Sequence, residues 1–421
     1  MGKPRSTLIT TAGMAFAAVL GLLFSLAGPC TGKAEAAEGG IHVGDGRVVE
    51  GNGNAFVMRG VNHAYTWYPE QTGSIADIAA KGANTVRVVL GSGGRWTRTS
   101  ASEVSTLIGQ CKANKVICVL EVHDTTGYGE DGAATSLDQA ADYWISVKGA
   151  LEGQEDYVVV NIGNEPFGNT NYTAWTDATK SAIGKLRGAG IDHALMVDAP
   201  NWGQDWSGTM RSNAASVFAS DPDRNTIFSI HMYGVYDTAT EVRDYLNAFA
   251  GNGLPIVVGE FGDQHSDGNP DEDAIMATAQ SLGVGYIGWS WSGNGSGVEY
   301  LDMVNGFDPN SLTSWGDRFF NGSNGIAATS KTATVYSDGG DDGGTGGTAP
   351  NGYPYCVNGG ASDPDGDGWG WENNSSCVVP GGLAPNGYPY CVDGGASDPD
   401  GDGWGWESSR SCVVRGGAAD R

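Results

Sequence analysis

Positive charge is scarce in this chain: 23 Lys and Arg stand against 49 Asp and Glu over 421 residues, a formal net charge of −26. Without a basic face, binding to a phosphate backbone is excluded, as is electrostatic docking on an anionic membrane. Long apolar runs are rare as well. One occupies about Leu8 to Ala27, and none after it approaches the roughly 20 apolar residues that a membrane span needs. Cysteine is sparse, with seven in all, while apolar residues make up 40% of the chain. A sizeable core is therefore available and wholesale disorder is excluded.

Lys3 and Arg5, the apolar run and Ala34-Glu35-Ala36 read as an export signal over residues 1–36. Pro29 directly before Cys30 argues against a lipid anchor there, so an extracellular, secreted protein is expected. Cleavage after Ala36 leaves six cysteines, an even number suited to an oxidising compartment: Cys111/Cys118, Cys356/Cys377 and Cys391/Cys412. Local pairing is the simplest connectivity. For Cys111/Cys118 two buried thiols are an equally open reading. For the other two pairs disulfides are expected, because their segments are too short to be held by a core.

Composition divides the remainder. Residues 37–329 carry every long apolar run after the signal. Residues 330–348 run into Ser337-Asp338-Gly339-Gly340-Asp341-Asp342-Gly343-Gly344, a flexible linker with nothing apolar to bury. Two repeats follow, at 349–380 and 384–415: Ala349–Val379 returns as Ala384–Val414, shifted by 35 residues and changed at four places.

The large region beats regularly. Apolar, β-rich runs occur at Phe56–Asn62, Thr85–Leu90, Val116–His123, Tyr157–Gly163, Ala194–Asp198, Ile227–Tyr233, Pro255–Phe261 and Tyr286–Trp291. Helical stretches such as Ser102–Ala113, Ser136–Ala150, Trp175–Ala189 and Asp271–Leu282 lie between them. Near-continuous apolar strands alternating with helices imply an α/β fold with a parallel sheet covered on both faces. Eight such units in about 290 residues fit a (β/α)₈ TIM barrel. The Gly-Asp-Gly and Gly-Asn-Gly turns within Ile41–Phe56 read as a hairpin that plugs the barrel floor.

Barrel sites lie at the C-terminal strand ends. Here those ends carry Asn62, His63, Arg87, Glu121, His123, Asp124, Asn164, Glu165, Asp198, His231, Tyr233, Glu260, Trp289 and Trp291. Glu165 and Glu260 each end a buried strand, the fourth and the seventh. Two carboxyls facing across the mouth are what glycoside hydrolysis requires, and about 5–5.5 Å between them makes one the nucleophile and the other acid then base. Arg87 near Glu260 would keep that acid ionised, with a hydrogen bond from Tyr233. Glu165 is expected among apolar and neutral groups, which would keep it protonated. Asn164 suits the hydroxyl beside the reacting carbon, and Trp289 offers a flat apolar face to a sugar ring.

Asn164-Glu165-Pro166 and Gly259-Glu260-Phe261, with Arg87, His123, His231, Tyr233 and Trp289, resemble the signatures of glycoside hydrolase family 5 over about residues 40–325. Within that family, Arg59–Tyr68 and Gly288–Asn294 resemble bacterial endo-β-1,4-mannanases. The resemblance implies retaining hydrolysis of β-mannan polysaccharides with Glu260 as nucleophile and Glu165 as acid/base, and no required cofactor. Endoglucanase action by the same machinery is the alternative substrate reading. A non-catalytic wall-binding protein is the alternative of another class. A monomer is expected.

Trp67, Trp96, Trp202, Trp206 and Trp291 lie just beyond strand ends, and with His63 they are candidates for the sugar cleft, Trp67 and Trp202 foremost. Asp263, Asp267, Asp271 and Glu272 form an acidic loop that reads either as a structural Ca²⁺ site or as a solvated loop and helix start. In the repeats, Trp369/Trp371 and Trp404/Trp406 would share one side of a strand. The pattern YPYC…GWGWE…SC resembles family 10 carbohydrate-binding modules, which implies small disulfide-stapled β-rich modules that bind cellulose.

Overall fold

The computed structural model describes residues 39–336 and, in the repeats, 369–372, 375–378, 398, 399, 401–407 and 410–414. The export signal and most of the linker lie outside the described residues. Among the described residues no helix is long and apolar enough to cross a membrane.

A hairpin, β1 (His42–Gly44) and β2 (Arg47–Val49), precedes eight parallel strands. These are β3 (Arg59–His63), β4 (Thr85–Leu90), β5 (Ile117–Val122), β6 (Val158–Asn161), β7 (Leu195–Asp198), β8 (Thr226–Met232), β9 (Ile256–Phe261) and β10 (Gly285–Gly288). They close in sequence order, β10 returning to β3. Each of the eight apolar runs read from the sequence overlaps one of them, five enclosing the strand and three missing it by one residue at an end. The α/β barrel class is therefore as expected.

Helices form where a polar cap meets an apolar stripe. Ser100 and Glu103 make a reciprocal capping box for Ala101–Ala113, and Ser136 and Gln139 do the same for Leu137–Ser146. The stretch expected as one helix to Ala150 breaks at Val147 into Leu137–Ser146 and Lys148–Leu151.

Strand side chains alternate between two cores. Outward residues such as Val86, Val88, Cys118, Leu120, Val158 and Val160 pack under the helices. Inward residues Ile117, Val119, Val159, Met196, Ile227, Val257 and Ile287 fill the barrel floor together with Ile41, Val43 and Val48 of the hairpin, which is thus the expected plug. Above this apolar layer the inward positions turn polar: Asn62, Arg87, Glu121, Asn161, Asp198, His231 and Glu260 are all buried.

One expectation is corrected. The barrel unit does not end at 329. Ala333 is buried in the floor core, Tyr336 donates to the Val116 carbonyl at 2.7 Å, and Glu50 accepts from Val335 N at 3.2 Å, so 330–336 is a strap under the barrel rather than linker. Of the two readings left open for Cys111 and Cys118, the structure has the buried free thiols, in contact with one another.

In the repeats, Trp369–Glu372 pairs antiparallel with Ser375–Val378, and Trp404–Glu407 with Arg410–Val413. The strands expected around GWGWE are therefore present. Trp371 stands opposite Ser376, two positions on from Trp369, and Trp406 stands opposite Ser411, two positions on from Trp404. Of these four tryptophans, only the side chain of Trp404 is described, and it is exposed. The expectation that Trp371 joins Trp369, and Trp406 joins Trp404, in a flat sugar-binding pair falls on side chains outside the described residues. Cys412 is disulfide-bonded; the side chains of the other repeat cysteines lie outside the described residues as well.

Candidate active site

The polar layer is organised around Arg87. Its side chain is fully buried, and its donors reach Asn161 Oδ1 (2.8 Å), Asn62 Oδ1 (2.9 Å), Glu260 Oε1 (2.8 Å), Asn164 Oδ1 (2.7 Å) and Asp198 Oδ2 (3.0 Å). A planar guanidinium with all its edges engaged fixes those five groups relative to one another. Tyr233 Oη donates to the other Glu260 oxygen at 3.0 Å. Asn62 Nδ2 donates to the carbonyls of Gly259 and Gly288, both at 3.1 Å, tying β9 and β10 down beside the nucleophile candidate.

Glu260 faces the mouth because β9 is irregular. Ile230 pairs with Val258, but His231 pairs with Glu260, so Gly259 is an extra residue in the ladder. Strict alternation from inward Val257 would have turned Glu260 outward; the bulge restores it to the inward row. Glycine fits there without adjustment, whereas a Cβ at Gly259 would stand 2.2 Å from Ser229 Oγ and force a shift. Glu165 follows β6 on a strained residue with φ of 40°. Oxygens of Glu165 and Glu260 and the His231 nitrogen all lie within 4.8 Å of one another.

The surroundings of Glu165 differ from expectation. Its neighbour is not a neutral apolar wall but His231, whose Nδ1 lies 2.8 Å from Oε1. Burial alone would lower the His231 pKa, but Glu260 and Asp198 outweigh it and hold the imidazole up to about 10. For Glu260, burial pushes the carboxyl upward, His231 and Arg87 pull against it, and Glu165 adds to the rise. Burial likewise works against Asp198, yet Arg87 and His231 bring it down to about 2. His123 is lowered by burial and raised by Glu121, 2.8 Å from Nδ1, with a net upward shift.

Aromatic side chains flank the carboxylates on two sides. On one, His123 lies parallel to Trp289 at 5.8 Å and edge-on to Trp67 at 4.9 Å, and Trp67 meets Trp96 at 5.4 Å. On the other, a cleft of about 290 Å³ beside Glu165 is lined by Trp202, Trp206, Tyr233 and His265. Asn164, Arg87, His231, Tyr233, Trp289, Trp67 and Trp202 are thus all at or around the mouth.

Two expectations fail here. His63 shares the outward row of β3 with Val61, opposite Val88, and is only 1% exposed; burial lowers it to about 4. It is a neutral core histidine, not a wall of the cleft. Trp291 is fully buried against Phe320. For the acidic loop, the reading as a solvated loop and helix start fits: among the described residues no three of its four acids bring their oxygens together. Asp267 accepts from Gly234 N and Gln204 Nε2, Asp271 caps the helix Glu272–Leu282, and Glu272 stands 3.9 Å from Arg318. Conversely, Asn161 is a structural member of the site that was not expected, and Asn62, Glu121 and Asp198, named above only as strand ends, join it around Arg87. Their signal was present: each is a polar residue at the mouth end of an otherwise apolar strand.

A closed parallel barrel with paired carboxylates and sugar-sized aromatic walls at its C-terminal mouth defines a glycoside hydrolase. Residues 49–295 match the family model described as cellulase (glycosyl hydrolase family 5), and residues 345–379 and 382–414 match that of a cellulose or protein binding domain. The chain belongs to glycosyl hydrolase family 5. A mannan endo-1,4-β-mannosidase of Streptomyces lividans is 88% identical over 380 residues, covering 90% of this chain and 98% of that one. The β-mannanase of Streptomyces thermolilacinus, solved with mannohexaose, is 60% identical with a TM-score of 0.70, covering 71% of this chain and 98% of that one. The β-mannanase of Thermomonospora fusca, solved with mannotriose, is 57% identical with a TM-score of 0.69, covering 71% and 99%.

Proposed function

We propose that the chain is a secreted, retaining endo-1,4-β-mannosidase that cuts internal linkages of mannan, galactomannan and glucomannan. The observation that carries the mechanism is the Glu165–Glu260 spacing, within 4.8 Å between oxygens, which suits a covalent intermediate and leaves no room for an inverting water. The substrate class rests on likeness to enzymes named for mannan.

In this reading Glu260 is the nucleophile. Arg87 and Tyr233 hold its two oxygens, so one lone pair is aimed at the anomeric carbon and the orientation is set before substrate arrives. Glu165 protonates the leaving oxygen as the glycosidic bond breaks, then takes a proton from the water that releases the sugar from Glu260. Asn164, held by Arg87 and donating to Thr126 Oγ1 at 2.9 Å, is placed for the hydroxyl next to the reacting carbon. Trp289, Trp67 and His123 bound one side of the sugar path, and Trp202 the other. The repeats anchor the enzyme to cellulose through Trp369 and Trp371 in the first and Trp404 and Trp406 in the second, where mannan lies beside the cellulose.

Reducing-sugar release from mannan, galactomannan and carboxymethyl cellulose, measured side by side, tests the reading. Activity confined to the mannans supports it; activity mainly on the cellulose derivative overturns the substrate and keeps the machinery.

A further inference from the structure

Asp198 ends β7 with no exposed surface and no role in the reading above. It nevertheless touches both halves of the site. Its Oδ2 accepts from Arg87 Nη2 at 3.0 Å and from the backbone nitrogen of Glu165 at 3.3 Å, and stands 3.3 Å from His231 Nε2 as a charge contact rather than an aligned hydrogen bond, while Oδ1 accepts from Asn161 Nδ2 at 2.9 Å. On the far side of the same imidazole, Nδ1 is 2.8 Å from Glu165 Oε1 and 3.5 Å from Glu260 Oε2. Three carboxylates therefore face one imidazole, Glu165 from the turn after β6, Asp198 from β7 and Glu260 from β9. Arg87 stands behind two of them, and His123 and Tyr233 are the remaining titratable groups around Glu260.

We propose that Asp198 is a positioning residue that pins one proton on His231 Nε2, so that the proton in the Nδ1···Oε1 bond is the one Glu165 delivers to the leaving oxygen. This rests on Glu165 being the acid/base. The two nitrogens of an imidazole are set by what each one faces, and a buried carboxylate on Nε2 fixes the tautomer and supports the cation. The pair His231–Glu165 then carries a single transferable proton. It passes to the glycosidic oxygen as that bond breaks and Glu260 bonds to the anomeric carbon. It is replaced when water gives one proton to Glu165 and its oxygen displaces Glu260, so each turnover consumes one water and leaves the enzyme's proton count unchanged. The electrostatics agree: His231 is held up to about 10 and Asp198 down to about 2, so the ion pair persists across the neutral range. The same geometry gives Asp198 reach over the nucleophile through Arg87, and the test has to separate the two routes.

The experiment compares wild type with Asp198→Asn on polysaccharide and on a dinitrophenyl β-manno-oligosaccharide, whose leaving group needs no acid. The expected result on polysaccharide is a loss of roughly 100-fold, within the range of general acid catalysis, and an alkaline limb of kcat/KM displaced by at least about one pH unit toward acid. Formation of the glycosyl-enzyme from the activated substrate should fall less than about 10-fold. Equal losses on both substrates, or an alkaline limb that does not move, would overturn the proposal and send the role of Asp198 through Arg87 or the fold. Should the variant not fold, nitrogen NMR of ¹⁵N-histidine wild type still decides: Nε2 of His231 must carry a proton at pH 7, and a bare Nε2 rejects the idea. Glu165→Ala on the activated substrate is the separate control. If glycosyl-enzyme formation is lost there too, it is the acid/base reading that fails.

Discussion

Glu260 stands opposite His231 in the β8–β9 ladder because Gly259 is surplus to the register. Without that extra residue the carboxylate would point into the layer under the helices. The site is thus made by a backbone irregularity as much as by the choice of a glutamate.

Gly259→Ala tests this directly. The new Cβ would stand 2.2 Å from Ser229 Oγ and 3.3 Å from His231 Nε2, so the bulge or its neighbours must shift. Overpacking of this kind costs about 1–3 kcal/mol. The expected outcome is a folded protein of lower Tm whose kcat falls by ~100-fold or more, since small displacements of a reacting group carry that penalty. A normal kcat would show that Glu260 does not depend on the bulge.

The two glutamates should fail differently. With Glu260 as the proposed nucleophile, Glu260→Ala is expected to abolish hydrolysis of every substrate while binding persists. Glu165→Ala should lose ~10²–10⁴-fold on polysaccharide yet still release dinitrophenol from an activated glycoside, with added azide accelerating turnover and giving a β-glycosyl azide. An α-azide, or azide rescue of Glu260→Ala with retention, would reverse or reject the assignments.

Much of this was legible in the sequence, and the reasons divide cleanly. Parallel barrel strands are covered on both faces, so they stand out as apolar runs, and all eight were found. Glu165 and Glu260 were visible because a carboxylate that ends such a run has nowhere apolar to go. The facing of a side chain was not legible. His63 and Asn62 are adjacent, but only Asn62 points inward, to Arg87. Trp291 sits two residues past Trp289 and is wholly buried. The strap at 330–336 was hidden because Ala333, Val335 and Tyr336 are too few to make a periodic signal, and Glu50, which holds it, is far away in sequence. The surroundings of Glu165 were not legible because its neighbour, His231, comes from a different strand.

Trp289 is oriented by a short chain of hydrogen bonds. Its Nε1 donates to Asn294 Oδ1 at 2.9 Å, and Asn294 Nδ2 donates in turn to Asp302 Oδ1 at 2.7 Å and to Ser290 Oγ at 2.9 Å. Asn294→Ala leaves the indole in place but unpinned. The expected outcome is a KM raised ~5–10-fold for oligosaccharides, corresponding to about 1 kcal/mol for one lost hydrogen bond, with kcat changed much less. A fall in kcat with unchanged KM would mean that Trp289 acts on the transition state instead.

His63 links pH to stability. Its ordinary pKa of 6.5 is lowered to about 4 by burial, so between those values the unfolded chain binds a proton that the folded chain refuses. Stability therefore rises with pH across this window; the contribution is full above 6.5 and is lost as pH falls toward 4. The size is about 3 kcal/mol at about 1.4 kcal/mol per unit. Urea midpoints measured from pH 7 to pH 4 should drop steeply for wild type and less steeply for His63→Gln, while kcat/KM at pH 7 stays within about 3-fold if the side chain has no substrate role. Parallel midpoint curves would show that His63 is not the group that titrates.

The repeats supply a final separation of functions. Trp404 is 37% exposed at the start of its strand, and its counterpart in the first repeat is Trp369. An exposed tryptophan in a small module is suited to stacking on a glucan chain. Two modules on one chain bind a surface more tightly than either alone, because the second encounter is intramolecular. Trp404→Ala should therefore weaken retention on crystalline cellulose in part. Trp369→Ala combined with Trp404→Ala should weaken it by more than the product of the single effects, ~10²-fold or greater overall. Rates on soluble galactomannan should be unchanged in these variants, since every catalytic candidate named above lies in the barrel. If the double variant still pulls down with cellulose as wild type does, these tryptophans are not the binding face; if it loses activity on the soluble polymer, the repeats contribute to the catalytic cleft.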